Sequence, residues 1–545
     1  MPAPFNDDFL VSPTYYLLMI TFFEHLANKF PVAMSVRMLF EHVFSRDVIN
    51  GIFARNAQEQ YPLNDFFADI VDCMGGVVGR VHRSLHAAYK QSLLKGVISV
   101  SDFYYRVNGT EPGVCAALVQ ETAQRLMEVL DKLRAPLLPL IPGYETRIVD
   151  GNAIGSTDHR LAVLRKTRSG PLPGKSLVIF DHERDIIRYM ICCEDGHAQE
   201  RSLFDELLKF VFAGELWIAD RNFATCKFLV GIAEKSAFFV IRRHAKLPLI
   251  QNGPWEMVFH EGKEIVQECP VSIAYEGKTI SARLIKKTLT KPTRDGDTEI
   301  EIVTNLPADV RAKTIADVYG KRWKIETMFS TLTMVLKCEL PSLGYPRASL
   351  FAFAMAAIAS NIISGMRSAI RAIHGIEAEE NVSVYHLVND LQGTARSTDL
   401  LNDMDEGTTT VAESLVNNRV STEASMLKLF VDEDQSNEIS SSIVDTLLPE
   451  LSMNGSSMAA GSLVRARSNE SKNGSHFWHS YATMSAGEFT KKLLDVVARI
   501  DLSRYKKAKT RPRSAPRVRG SPSDPPHVST YRLLKEQRLQ LQKSA

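Results

Sequence analysis

Tyr319-Gly-Lys-Arg322-Trp323-Lys-Ile325-Glu326 sets a phenol, a guanidinium and a carboxylate at i, i+3 and i+7. On a helix those positions stack along one face. A core face would put an apolar residue in at least one of them, whereas Trp323, Ile325 and Phe329 fall largely beside it. The spacing therefore predicts a helix over about 314–336 with a polar working face, and Trp323 reads as a core anchor. Upstream, Asp150 closes the apolar run that starts at Arg147, and Asp220 closes the run that starts at Leu216; each run reads as a buried strand. A lone Asp at a strand end is most often a turn or cap residue. Two such Asp followed by a helix-borne Glu instead suggest a metal site built from hard oxygen ligands.

Around these anchors the periodicity alternates. Short apolar runs at 147–152, 176–181 and 186–193 predict three neighbouring strands in a meander. An amphipathic helix over 199–212, carrying Leu203, Phe204, Leu207, Leu208 and Val211, leads to a fourth strand at 216–220; a further helix and a strand at 237–242 complete a mixed α/β unit. Alternation in 255–259 and 299–303 makes 243–306 a β-rich insertion. Upstream of the breaker at Pro139–Gly143, apolar residues recur at three and four in 36–43 and 116–127, so residues 1–140 read as all-helical. The expected order is a helical domain at 1–140, an α/β core at 141–375, a polar, poorly ordered insertion at 376–475, and a helix with a basic tail at 476–545.

The 545 residues are 45% hydrophobic and 23% charged, which suits a chain that buries a core. A formal net charge of +2 leaves any nucleic-acid affinity to local clusters. One cluster is the tail, where Arg504, Lys506, Lys507, Lys509, Arg511, Arg513, Arg517 and Arg519 have no acidic residue among them. Such a run suits a phosphate backbone, where each neutralised phosphate releases counterions; its plain alternative is a solvated tail. Seven cysteines without a CxxC pair read as reduced thiols of a cytoplasmic protein. Asp7 and Asp8, where a signal peptide would be basic, argue against one. The Ala-rich run 350–360 reads as a core helix and not a membrane span.

With Asp150, Asp220 and Tyr319, Arg322 and Glu326 in this order, the chain resembles the DDE transposases of insertion sequence family four. The likeness extends to 150–152, 194–201, 216–223 and 343–348 and spans roughly 30–375, returning at the basic tail. It departs where the family has a Lys seven positions after the Glu: Thr333 stands there, and Lys337 is the next lysine. The resemblance implies a ribonuclease-H-like catalytic core, with Asp150, Asp220 and Glu326 holding two Mg²⁺ ions for which Mn²⁺ substitutes. It also implies that Tyr319 and Arg322 contact DNA phosphate and that Lys506, Lys507, Lys509, Arg511 and Arg513 hold flanking or target DNA. The plainer reading of Arg322 is a salt bridge to Glu326 one turn away. Trp255 could stack on a base, but a packed hairpin is the simpler assignment, as is a turn or cap for His197.

The implied function is metal-dependent cleavage of DNA at terminal inverted repeats with strand transfer into target DNA as the second step. The implied partners are double-stranded DNA and a second copy of the chain in a synaptic complex, within a prokaryotic cytoplasm and nucleoid, without a membrane. The rivals are a catalytically silent, transposase-derived DNA-binding protein and a nuclease that hydrolyses without joining.

Overall fold

The computed structural model describes residues 24, 27–58, 66–154, 174–196, 198–290, 292, 296–340, 342–390 and 480–507. The expectations for His197, for most of the polar insertion, and for Lys509, Arg511 and Arg513 fall outside them. By contact the chain forms two units. Among the described residues, one holds 24, 27–42, 365–390 and 480–507, and the other holds 43–364.

The larger unit opens with helices only. After α1 (Pro31–Phe44), which the division cuts at its last turn, come α2 (Arg46–Asn56), α3 (Phe67–Val78), α4 (Leu85–Gln91), α5 (Val100–Gly109) and α6 (Pro112–Leu133). α6 shows why the sequence is helical here. Pro112 occupies the first turn, where its missing N–H costs nothing, and Val114, Leu118, Val119, Leu126, Val129 and Leu133 are buried at helical spacing. α6 packs on the sheet strand β3, introduced next.

The sheet is built outward from β1 (Glu145–Ile154). β2 (Gly174–Asp181) and β3 (Ile186–Cys193) come next, antiparallel, as the meander the sequence predicts. The helix predicted over 199–212 is shorter: a 3₁₀ turn at Glu200–Leu203 runs into α7 (Phe204–Leu208), and the chain leaves the helix before β4 (Glu215–Ala219). α8 (Cys226–Glu234) then leads to β5 (Phe238–Arg242), with β1, β4 and β5 parallel. β4 is buried along its whole length, as expected of a strand covered on both faces. Trp217, fully buried, packs with Phe204, Phe223, Phe228 and Phe239.

The 243–306 segment is β-rich as expected, but it is continuous with the core sheet. Its strands are β6 (Ile250–Gln251), β7 (Glu256–Glu261), β8 (Glu264–Tyr275), β9 (Lys278–Thr288) and β10 (Glu299–Thr304). β10 pairs antiparallel with β5, so the order β3-β2-β1-β4-β5-β10-β9-β8-β6 is one ten-stranded sheet, with β7 on β8. Trp255 is half-buried against the core, with the Lys286 ammonium 5.0 Å from its ring centroid, the packed arrangement.

After the sheet come α9 (Ala312–Gly320), α10 (Trp323–Met334) and α11 (Pro346–His374), with the unit division inside α11. α11 is long and apolar enough to cross a membrane, but its apolar stretch is buried, in keeping with a core helix. From α11, the buried Asn361 accepts a hydrogen bond from the Ile187 N–H (2.7 Å) and donates to its carbonyl (2.8 Å). β3 is a sheet edge, and this amide replaces a missing neighbour strand at Ile187. Asn361→Leu keeps the volume and strands both backbone groups, so urea unfolding should show a loss of about 2–4 kcal/mol; an unchanged midpoint would mean water reaches that edge.

The smaller unit is completed by α12 (Ile376–Glu380) and α13 (Ala486–Val497). His42 stacks on Phe489 at 4.0 Å, and Arg367 and Arg371 pair with the buried Glu379. Lys506 forms a β-bridge with Val382, and Lys507 donates to the carbonyls of Asn381 and Glu380.

Candidate active site

The β1–β4 register positions the first two carboxylates. Glu145 pairs with Glu215 and Ile148 with Ile218; continued two residues, the register sets Asp150 beside Asp220. Asp150 is not at the end of its strand, because β1 runs four residues further along β2, whereas β4 stops at Ala219. Asp220 turns the chain there: its Oδ1 accepts the Asn222 N–H at 2.8 Å and caps a short 3₁₀ turn. Both Asp side chains thus stand at the C-terminal edge of β4, one in the sheet and one capping its exit.

The signature is not one unbroken helix. At the junction of α9 and α10, Lys321, Arg322, Lys324 and Ile325 donate to carbonyls three residues back, a 3₁₀ tightening. Tyr319 is in the last turn of α9, Arg322 is at the N-cap position of α10, and Glu326 is in its first turn. Three residues per turn instead of 3.6 rotate the downstream residues about the helix axis, and this corrects the reading of Trp323. Its ring is 59% exposed, and the Arg322 guanidinium lies 6.0 Å from the ring centroid. Ile325 takes the buried position instead.

Arg322 joins the three elements. Its Nη1 is 3.2 Å from Asp150 Oδ2 and its Nη2 is 2.5 Å from Glu326 Oε1. The ion pair to Glu326 is therefore present, and so is a second one, across the fold, that spacing alone does not reveal. Burial pushes the Asp150 carboxyl up to about 7; the negative charges of Asp220 and Glu200 add to this, while Arg322 and the Gly151 N–H oppose it. Burial also raises Tyr319, while the charge of the neighbouring Arg322 opposes this. Burial disfavours the Arg322 charge, yet Tyr319, Asp150 and Glu326 outweigh it and hold the guanidinium above its ordinary value.

Among the described residues, no three His, Cys, Asp or Glu stand close enough together to hold a metal ion as they are. The donor chemistry still fits a hard cation: the facing groups are carboxylates, and a guanidinium stands in as the positive charge between two of them.

A carboxylate that the sequence pattern did not single out also reaches this edge. Glu200 begins the 3₁₀ turn before α7, and a Cβ built on Gly151 would lie 2.4 Å from its Oε1. It falls inside the stretch 194–201 that carries part of the family likeness, and a Gly next to the first Asp was the available signal.

Charged and polar side chains at the end of β5 are paired locally. Arg242 pairs with Asp297 (2.6 Å), Arg243 with Glu301 (2.7 Å), and His244 Nδ1 accepts from the Lys246 N–H. Thr333 is exposed and bonds back to the Phe329 carbonyl, and Lys337 lies past the end of α10. Glu194 and Arg347, from two of the matching stretches, meet at 3.1 Å. Lys506 and Lys507 are exposed and belong to the smaller unit, not to the one carrying the carboxylates.

Residues 142–362 match the family model described as a transposase DDE domain, a segment that contains Asp150, Asp220, Tyr319, Arg322 and Glu326. Comparison with curated proteins gave no match.

Proposed function

We propose, from the likeness of residues 142–362 to a transposase DDE domain, that the chain cuts DNA at the terminal inverted repeats of an insertion element and joins the freed 3′-hydroxyl to target DNA. The observation that carries this reading is the convergence of Asp150, Asp220 and Glu326 at one sheet edge inside that segment, with Arg322 spanning two of them. The strand order β3-β2-β1-β4-β5, with β1, β4 and β5 parallel, supports a ribonuclease-H-like core, and the signature supports family four.

Asp150, Asp220 and Glu326 would hold Mg²⁺, or Mn²⁺ in its place. Bound there, the ions make an attacking oxygen more acidic and neutralise the charge on the leaving oxygen. Arg322 exchanges its carboxylate partners for a DNA phosphate, to which its planar fork donates two hydrogen bonds. Tyr319, one helical turn before Arg322, adds a neutral contact to the backbone. The basic run from Lys506 through Lys507, Lys509, Arg511 and Arg513 holds flanking or target DNA by charge. Pairing two element ends calls for two protomers, hence a homodimer acting on cytoplasmic, nucleoid DNA.

The test is cleavage and joining of a labelled duplex carrying the element's own terminal repeat, with Mg²⁺ or Mn²⁺, comparing wild type with Asp150→Ala and Glu326→Ala. Metal-dependent 3′-end release and joined products in wild type alone are expected. Binding without cleavage would instead mark a silent DNA-binding protein, and hydrolysis without joined products a nuclease. Activity surviving both substitutions would put the active site elsewhere.

A further inference from the structure

We infer that Glu200 is a fourth carboxylate of the metal site, a role that rests on the transposase reading of Asp150, Asp220 and Glu326. The case is geometric. Glu200 is the first residue of the 3₁₀ turn between β3 and α7, and its carboxylate lies directly on the Cα face of Gly151, the residue after Asp150. A Cβ at 151 would meet Oε1 at 2.4 Å and the carboxyl carbon at 2.8 Å, so a side chain there would push the Glu200 carboxylate aside. The backbone of Gly151 is not in the left-handed region, so the glycine is explained by the close approach and not by a turn.

The same side chain is tied to the second Asp. The Asn222 side chain, two residues after Asp220, is a polar neighbour that favours the charged form of Glu200. The neighbouring Arg201 Nε donates to the Asn222 carbonyl at 3.2 Å. On the other side, Lys175 Nζ donates to the Ala198 carbonyl at 2.6 Å and fixes the approach to the turn. Behind the turn, Phe204 and Leu207 are buried in the core. Glu200 is thereby held between the Asp150 strand and the Asp220 cap by contacts on three elements.

The charge count gives this placement its meaning. Asp150, Asp220 and Glu200 act on one another by charge, while Arg322 is committed to Asp150 and Glu326. No salt bridge to Glu200 occurs among the described residues; Lys175 and Arg201 act on it only as neighbouring positive charges. Mg²⁺ keeps several of its waters and recruits carboxylates around them, so a fourth acid beside the first two adds affinity without demanding a new binding geometry.

The test uses the full chain and Mn²⁺ alone, with bound Mn²⁺ read from the loss of the free-ion paramagnetic resonance signal. Glu200→Gln keeps the shape and an oxygen for Asn222 but removes the charge; it should weaken Mn²⁺ binding roughly ten-fold or more, as partners around a metal site typically do. Gly151→Ala keeps all four carboxylates and displaces Glu200 by its methyl; it should weaken binding similarly. The double variant should be no worse than Glu200→Gln, because both changes remove one interaction. Melting in chelator supplies the folding control: Glu200→Gln should melt at or above wild type, since it relieves like-charge crowding, while its Mn²⁺-induced rise in Tm shrinks. Wild-type affinity in Glu200→Gln, with Asp150→Asn losing the ion, would overturn the role of Glu200 and leave the transposase site standing. Failure of wild type to bind Mn²⁺, or retention of the ion by Asp150→Asn, would overturn both.

Discussion

Asp150→Asn is expected to lose cleavage and joining by roughly a thousand-fold or more while becoming the more stable protein in chelator at pH 8. The two effects share one cause. Asp150 sits in a half-buried position beside two other acids, and its carboxyl is raised to about 7. A carboxyl raised in the folded state binds its proton more tightly there than in the unfolded chain. Its contribution to stability is fully present below the ordinary carboxylate range and is lost as the pH climbs towards 7. The asparagine mimics the neutral form at every pH. Wild type and variant should therefore melt alike near pH 4, and the variant should gain with rising pH up to a plateau above 7. That plateau is on the order of a few kcal/mol, because each pH unit between the folded and unfolded titrations is worth about 1.36 kcal/mol. Adding Mg²⁺ should stabilise wild type and leave the variant unmoved. Equal pH profiles in chelator would show that water reaches Asp150 and that the carboxylate is not held under strain.

The largest stability loss is expected from Arg147→Ala. Arg147 is 1% exposed, and its guanidinium meets Glu145 at 2.5 Å, Glu215 at 2.9 Å, Asp181 at 3.3 Å and Glu183 at 3.6 Å. Glu215 also accepts from the Trp217 indole and the Phe212 N–H, so it is fixed from several sides. Removing the cation leaves Asp181 and Glu215 buried with only the more distant Arg184 and Arg188 to answer them. Breaking a buried pair from one side typically costs about 3–5 kcal/mol, readable as a shifted urea midpoint. Pairing Arg147→Met with Asp181→Asn and Glu215→Gln should recover a good part of it, because what hurts is the stranded charge. A loss under about 1 kcal/mol for Arg147→Ala would place the cluster in contact with water.

Local features were legible in the sequence, and non-local ones were not. The β1–β3 meander, β4 and β5 announce themselves as apolar runs between turn residues, and α6 by its 3.6 period. Asp150, Asp220 and Glu326 stood out as acids next to periodic apolar runs, but β1 continues past Asp150 and the helix breaks before Glu326. Pairing between distant strands leaves no such mark. Nothing in 243–306 states that β10 returns to β5 and makes the supposed insertion part of the core sheet. The break between α9 and α10 lies at Gly320, a residue that favours helix ends but is tolerated inside helices, and the i→i+3 hydrogen bonds show it. Trp323 was misplaced for the same reason, and Glu200 was missed because its meaning lies in a contact across the fold with Gly151. Beyond 390, α13 falls within the helix expected in 476–545.

The parallel register of β1 and β4 works as a pair of matched rulers. Each strand is pinned at its start, by Arg147 to Glu145 and Glu215, and each carries its Asp five residues beyond that pinned glutamate. At about 3.3 Å per residue, both acids stand about 17 Å from the same fastening, so motion of the sheet as a whole carries them together. A one-residue deletion in either strand would throw the two acids out of step, whereas matched deletions in both would keep them abreast. In this way the spacing of the two acids is set by counting residues from a charge cluster at the opposite ends of their strands.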